Sequence, residues 1–352
     1  MHTTHSFQLG LAGAILGLVM LACASGASIP TPTGTPLPTI PPQPTLAPTL
    51  ASTPTDASTA TLLPELAGYW QSGNVVFTIE KNNDQYAVTA LNAAGPGTRT
   101  LTHQAWDGSR LTWTYRYAEA LGGWSVTFST KTLIGNSLLA DYSTSDGESA
   151  VRTLRKVSSA KPSYDSLPYQ DDFSVPGSGW DSYNAKSDSA GYQNGAYFVI
   201  SRTNRFTSYG EPNLFYGDTV IAVDATPVSG PADSNFSYHI GCRIQTNGDG
   251  YLFEVRADGY FKVDYYSGGG VTQTSLSGKQ WKKSAAIQPG MATNHLTVTC
   301  AGSELKLDVN GQVLYDGQDS TFTEGDIDLG AGTYDNTTPA EIHFTHLVVT
   351  AP

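Results

Sequence analysis

From Gly68 onward the chain is written in short alternating runs, each closed by residues that reverse the backbone. Val75-Val76-Phe77-Thr78-Ile79 and Leu111-Thr112-Trp113-Thr114-Tyr115 are typical runs; Asn247-Gly248-Asp249-Gly250, Asp258-Gly259 and Asn310-Gly311 are typical closures. A period of two sends successive side chains to opposite faces of a strand, and Asn-Gly or Asp-Gly supplies the positive φ that tight hairpins require. The composition agrees: 36 Gly and 19 Tyr, with only 14% of residues charged. Aromatic and β-branched side chains suit a pleated, half-buried surface. The predicted fold class is all-β, in two blocks: a small antiparallel barrel-like domain over 65–157 and a two-sheet sandwich over 169–352. A polar linker with Pro162 and Pro168 joins them over 158–168.

The charge balance removes one class of partner. Against 19 Lys and Arg stand 31 Asp and Glu, a formal net charge of −12. A phosphate backbone is repelled by such a surface, so nucleic acid is not an expected partner.

Ahead of the β blocks lie an address and a spacer. Leu9 to Ala22 is apolar but too short to span a bilayer, which takes about 20 residues; it suits the core of an export signal over 1–22. Val19-Met20-Leu21-Ala22-Cys23 resembles a bacterial lipobox, which implies cleavage before Cys23, diacylation of its thiol, and a membrane-anchored protein facing the exterior or periplasm. An ordinary signal peptide cut near Ala22, Ala24 or Ala27 is the alternative. Residues 23–64 follow, rich in Pro, Thr, Ala and Ser. Such a stretch buries too little apolar surface to offset its ordering entropy and is expected to act as a disordered, extended tether.

The first β block resembles the lipocalin-like group. Gly68-Tyr69-Trp70 matches its Gly-x-Trp signature, and the resemblance implies an Arg near the block's end, Arg152 or Arg155, stacked on the Trp. A segment of this length is short for enclosing a ligand, and Trp113, flanked by Thr112 and Thr114, is expected in the core.

The second block resembles bacterial concanavalin A-like lectin/glucanase domains of the laminin-G and keto-glycoside-hydrolase-like branch. Asp171-Asp172-Phe173-Ser174…Ser178-Gly179-Trp180, Tyr251-Leu252-Phe253-Glu254-Val255…Asp258-Gly259-Tyr260 and Val309-Asn310-Gly311-Gln312-Val313 carry the resemblance, with Phe344…Val348 closing it. It implies a jelly roll and a carbohydrate-related role. Similar domains often carry Cys at the places of Cys242 and Cys300, and export leads to an oxidising compartment, so a structural disulfide is expected; two buried thiols are the alternative.

Strand alternation then nominates a ligand face. In Tyr238–Gln245, Ile240, Cys242 and Ile244 share one side, leaving His239, Arg243 and Gln245 on the other. By the same rule Glu254 and Arg256 oppose Phe253 and Val255, and Lys262, Asp264 and Tyr266 oppose Phe261, Val263 and Tyr265. In register, these planar hydrogen-bonding groups form a sugar-binding face, with Trp180 and Trp281 as aromatic candidates; a solvated face laced with ion pairs is the competing reading. The sequence nominates no catalytic residue and no metal ligand. Glu324-Gly325-Asp326-Ile327-Asp328 lacks the third Glu of the related glucanases, and His343-Phe344-Thr345-His346 places its two His on opposite strand faces. Ca²⁺ on loop residues such as Asp249 or Asp335 suits the fold class but has no recognisable ligand loop here. Without a visible nucleophile or carboxylate pair, binding is favoured over catalysis: a surface lipoprotein holding extracellular carbohydrate, with protein adhesion as the alternative and glycoside hydrolysis third.

Overall fold

The computed structural model describes Phe7–Gln8, which pairs with the strand Phe206–Gly210, and residues 65–352 apart from 96–97, 119–122, 146, 148, 205 and 336. The signal, Cys23 and the tether lie outside the described residues, save for Phe7 and Gln8. Every element among the described residues is a strand, turn or bend, so the protein is all-β as expected.

The first block is an eight-stranded meander: Gly68–Ser72, Val75–Asn82, Gln85–Ala93, Arg99–Trp106, Leu111–Tyr117, Ser125–Ile134, Ser137–Thr144 and Ser149–Val157. The first strand pairs with the last, through Tyr69↔Val157, Trp70↔Lys156 and Gln71↔Arg155, so the sheet curls almost into a barrel. The one unladdered seam, between Gln85–Ala93 and Arg99–Trp106, is held by side chains. Val88 N donates to Gln104 Oε1 (2.8 Å), Trp106 Nε1 donates to the Asp84 carbonyl (3.1 Å), and the Tyr86 and Trp106 rings meet edge-on. Strict alternation along Leu111–Tyr117 buries Leu111, Trp113, Tyr115 and Tyr117 while Thr112, Thr114 and Arg116 face outward. The interior is filled by rings: Phe77 packs on Trp113 at 5.1 Å and Trp113 stacks on Phe128 at 5.3 Å.

The expected Arg over Trp70 is replaced by Lys156, whose Nζ lies 5.4 Å from the ring. Register explains the exchange. Lys156 sits directly opposite Trp70, whereas Arg155 faces outward to Asp165 (Nε–Oδ1 2.6 Å). Arg152 has the inward parity of Leu154 but lies nearer the barrel mouth, over the Tyr142 ring at 4.7 Å.

The second block is a sandwich of two antiparallel sheets. One runs in the order Phe206–Gly210, Asp326–Thr333, Phe236–Ile244, Gly250–Arg256, Tyr260–Ser267, Thr272–Ser275. The other runs Tyr183–Asn184, Asp188–Gln193, Ala196–Ser201, Ala340–Thr350, Thr219–Ser229, Asn294–Ala301, Glu304–Val309, Gln312–Gln318, and Tyr169–Asp171 also joins Ala340–Thr350. Inward side chains of both sheets, among them Tyr238, Ile240, Phe253, Val263, Leu296, Val298, Ile342 and Phe344, form one continuous core. Each such fully buried aliphatic or Phe side chain contributes about 1.5–3 kcal/mol through apolar burial. Cys242 and Cys300 are bonded across the two sheets, 58 residues apart in sequence.

The two blocks belong to one compact unit. Ser149 and Ser182 exchange backbone hydrogen bonds of 3.1 and 2.8 Å, and Ser163 N donates to Gln71 Oε1 at 2.8 Å. Arg99 reaches from the barrel to Thr246 Oγ1 (3.0 Å). Arg152 is buried and ion-paired to Asp181, and also donates to the carbonyls of Gly179 and Glu211.

Candidate ligand-binding face

The first sheet of the sandwich turns one face to the core. Its other face is a grid in which cross-strand register, rather than sequence proximity, sets the neighbours. One row runs Gly330–His239–Glu254–Lys262, directly opposite one another on four successive strands. The next runs Asp328–Gly241–Leu252–Asp264–Ser275, and a row on the opposite flank runs Gly332–Ser237–Arg256–Tyr260. Of the residues nominated from sequence, His239, Glu254, Arg256, Lys262, Asp264 and Tyr266 are brought together here.

Two glycines shape the centre. A Cβ on Gly330 would lie 1.9 Å from His239 Cε1, and one on Gly241 would lie 2.2 Å from Asp328 Oδ1. The His239 ring therefore lies across Gly330 and the Asp328 carboxylate across Gly241. This brings His239 Nε2 to 3.4 Å from Asp328 Oδ1, a contact outside hydrogen-bond geometry. Asp264 is held on one oxygen by Lys262 Nζ (2.9 Å) and Gln273 Nε2 (2.7 Å).

The centre is buried and under-satisfied. His239, Glu254, Asp264 and Asp328 are each at most 1% exposed. Both nitrogens of His239, both carboxylate oxygens of Glu254 and of Asp328, and Oδ1 of Asp264 lack a hydrogen-bond partner among the described residues. Burial pushes the Glu254 carboxyl up to about 7; the Asp264 charge adds to the rise, while His239, Lys262 and the Ser237 hydroxyl oppose it. Ser237 acts weakly because no well-formed hydrogen bond joins it to the carboxylate.

The flanks differ. At one end Arg256 grips Asp258 with two hydrogen bonds (Nε–Oδ1 2.8 Å, Nη2–Oδ2 2.5 Å) and lies over the Tyr260 and Trp281 rings at 5.0 and 5.1 Å. These side chains are half-buried, and Trp281 meets Tyr334 edge-on. At the other end Tyr209, Ile244, Leu252 and Tyr266 form a small apolar cluster.

Two nominated residues lie elsewhere. Arg243 is the extra residue of a β-bulge between Cys242↔Ile327 and Ile244↔Asp326, with φ of +54°. A bulge reverses the parity of everything beyond it. Ile244 consequently moves to the outer face, and Arg243 leaves it. The Arg243 guanidinium donates to the carbonyls of Gly302 and Phe322 (2.9 Å each) and to Asp218 Oδ1 (2.8 Å), tying together the end of the sandwich that carries the disulfide. Trp180 is fully buried in the core against Phe173 and Tyr197, its Nε1 donating to Tyr169 OH at 3.2 Å. Asp249 and Asp335 both cap backbone amides in the loops, of Gly269 and Gly270 and of Thr337 and Thr338 respectively.

Sequence reasoning weighed Asp328 only within the glucanase-like string and passed over Ser237 and the two glycines. A signal existed in Asp326-Ile327-Asp328-Leu329-Gly330-Ala331-Gly332: alternate positions are Asp, Asp, Gly and Gly, a face too small and too polar for a core.

No protein-family model and no curated protein matches the chain. Solved structures similar to it include a carbohydrate-binding module of Bacillus subtilis (18% identity, 49% of this chain and 96% of that one, TM-score 0.34). Others are a β-glucanase of Bacillus licheniformis (13%, 53% and 98%, TM-score 0.41) and the catalytic domain of an endo-1,3-β-glucanase, a laminarinase, of Thermotoga petrophila (12%, 53% and 98%, TM-score 0.38).

Proposed function

We propose that this is an exported, lipid-anchored surface protein that binds extracellular carbohydrate on the outer face of the first sandwich sheet. The observation that carries the reading is the set of buried, unpartnered polar atoms on His239, Glu254, Asp264 and Asp328. An unmade buried hydrogen bond costs about 1–3 kcal/mol, so a cluster of them is a stored demand for donors and acceptors. A hydroxyl-rich ligand supplies both at each sugar carbon. The half-buried rings of Tyr260 and Trp281, stiffened by Arg256 between them, offer flat apolar surfaces for sugar C–H faces at the flank.

The test is glycan-array binding by the chain without residues 1–22, beside Glu254→Gln and Arg256→Ala. Selective binding in the parent, lost in Glu254→Gln and weakened at least tenfold in Arg256→Ala, supports the reading. Equal binding in all three places the site elsewhere, and a blank array from folded protein removes carbohydrate as the ligand.

A second reading, glycoside processing, is favoured by Glu254 itself. A carboxyl pushed up to about 7 retains its proton near neutrality and can serve as a general acid. Asp264 lies diagonally across the adjacent strand pair, where side chains stand roughly 7–8 Å apart, within the span of about 5–9.5 Å used by paired glycosidase carboxyls. Release of reducing ends from a bound glycan, abolished by Glu254→Gln and by Asp264→Asn, separates this reading from plain binding.

A further inference from the structure

The mouth of the barrel forms one wall of a recess whose opposite wall is the sandwich. Trp124, Tyr117, Tyr142 and Arg152 come from the barrel, Tyr209 and Glu211 from the sandwich. The recess encloses only about 40 Å³ and is otherwise open to solvent, a shallow groove rather than a closed pocket. A smaller neighbouring cavity shares Glu211, Asn213 and Thr246 with it and reaches Ile244 and Asp326. We infer that this recess is a second saccharide subsite, continuous with the sheet face, so that one glycan chain runs from the sandwich onto the barrel. The inference rests on the carbohydrate reading above and gives the barrel its part in it.

Four features carry it. Trp124 is half-buried and stacked on Tyr117 with ring centroids 4.1 Å apart, a stiff two-ring platform of the kind that meets a sugar face. Arg99 holds that platform in place, lying over Tyr117 at 4.9 Å while donating to Thr246 in the loop that joins two strands of the binding sheet. Arg152, only 3% exposed, lines the recess with an Nε that has no hydrogen-bond partner among the described residues. Finally, the recess is joined to the sheet face by shared residues: Tyr209 and Ile244 belong to the apolar cluster at the end of that face and also line the two cavities.

The chemistry selects the ligand class. Arg152 is ion-paired to Asp181, Glu211 adds a second carboxylate to the lining and Arg99 stands behind Tyr117, so the recess has no excess of positive charge that would call for an anionic sugar or a phosphate. A neutral, hydroxyl-rich chain is accommodated by the rings and by the amide and hydroxyl groups of Asn213, Gln245 and Thr246.

The experiment is a length series. Neutral gluco-, xylo-, manno- and fructo-oligosaccharides, from disaccharide to octasaccharide, are immobilised and probed with the parent protein lacking residues 1–22, Trp124→Ala, Trp124→Tyr and Glu254→Gln, each checked for an intact unfolding transition. The expected result is affinity that rises with length in the parent. Trp124→Ala should lose about tenfold on the longest members and nothing on the shortest, with recovery in Trp124→Tyr. Length dependence unchanged in Trp124→Ala overturns the inference; if Glu254→Gln is blank at the same time, the sheet-face reading stands without it. Long-chain binding lost in Trp124→Ala but kept in Glu254→Gln upholds the recess and overturns the sheet face. Absence of binding to every series by the folded parent overturns both.

Discussion

The two β blocks solve the same problem, a sheet with two faces, in opposite ways. In the barrel the inward face is closed on itself and filled with rings; its Trp70 Nε1 donates to the Leu66 carbonyl at 2.7 Å, and its outward face carries Thr–Ser and Thr–Thr pairs such as Thr112–Ser129 and Thr114–Thr127. In the sandwich the first sheet packs apolar side chains on one face but buries charged groups on the other that are only partly satisfied. Among the described residues the barrel's unmatched buried atoms are nitrogen donors of Arg99, Trp113 and Arg152, whereas those of the sheet include carboxylate oxygens of Glu254, Asp264 and Asp328.

Substitutions at the packed positions and at Glu254 should therefore differ in sign as well as size. The largest loss is expected from Trp113→Ala, which empties a ring position among Phe77 and Phe128 and should cost about 3–5 kcal/mol in urea unfolding. Asp181→Ala leaves the buried Arg152 charge without its ion-pair partner and should cost a similar 3–5 kcal/mol. A loss below about 1 kcal/mol there would break the claim that barrel and sandwich are held as one unit. Replacing Cys242 and Cys300 together by Ala should remove roughly 4 kcal/mol, as expected for a closed loop of that length.

On the polar face the expectation reverses. The folded-state Glu254 pKa, about 7, is above its ordinary value of 4.5. The protonated form is therefore the one the fold favours: its contribution is complete below about pH 4.5 and is lost as pH rises through about 7. Glu254→Gln should abolish that loss, gaining up to about 3 kcal/mol over the parent at pH 8 and little at pH 4. Parallel melting curves against pH for the two proteins would break the comparison at its centre. A finer test is Gly330→Ala, whose new Cβ collides with the His239 ring. The substitution should be markedly destabilising alone and less so in a His239→Ala background, with a residual cost from the Ser208 carbonyl 2.6 Å from the same Cβ, a coupling that a double-mutant cycle reads directly. The smallest effect is expected at the exposed Lys131–Asp141 pair (2.9 Å), where Lys131→Ala should move stability by a few tenths of a kcal/mol.

Much of this molecule was legible in its residues. Period-two alternation set the strands, Asn-Gly and Asp-Gly set the hairpins, and alternation set the facing of His239, Glu254, Lys262 and Asp264, because each depends on the local backbone and on nearest neighbours. The bulge at Arg243 was not legible. A single extra residue reverses parity without changing the composition of its strand, so Arg243 and Ile244 exchanged the roles that alternation assigned them. Arg152 could not be placed either: its inward parity was readable, but its partner Asp181 lies 29 residues away in the other block. The pairing of Asp328 with His239 likewise comes from strands joined only in the folded sheet, Phe236–Ile244 and Asp326–Thr333.

What the sequence by itself determined is the all-β class, the two blocks and most of the core, Ile244 and Trp180 excepted, all consequences of short-range periodicity and apolar burial. Only the tertiary structure decided which polar groups meet, which are satisfied and which are left unpartnered. Those properties depend on register between distant strands and on exclusion of water, and neither is a property of any local stretch of chain.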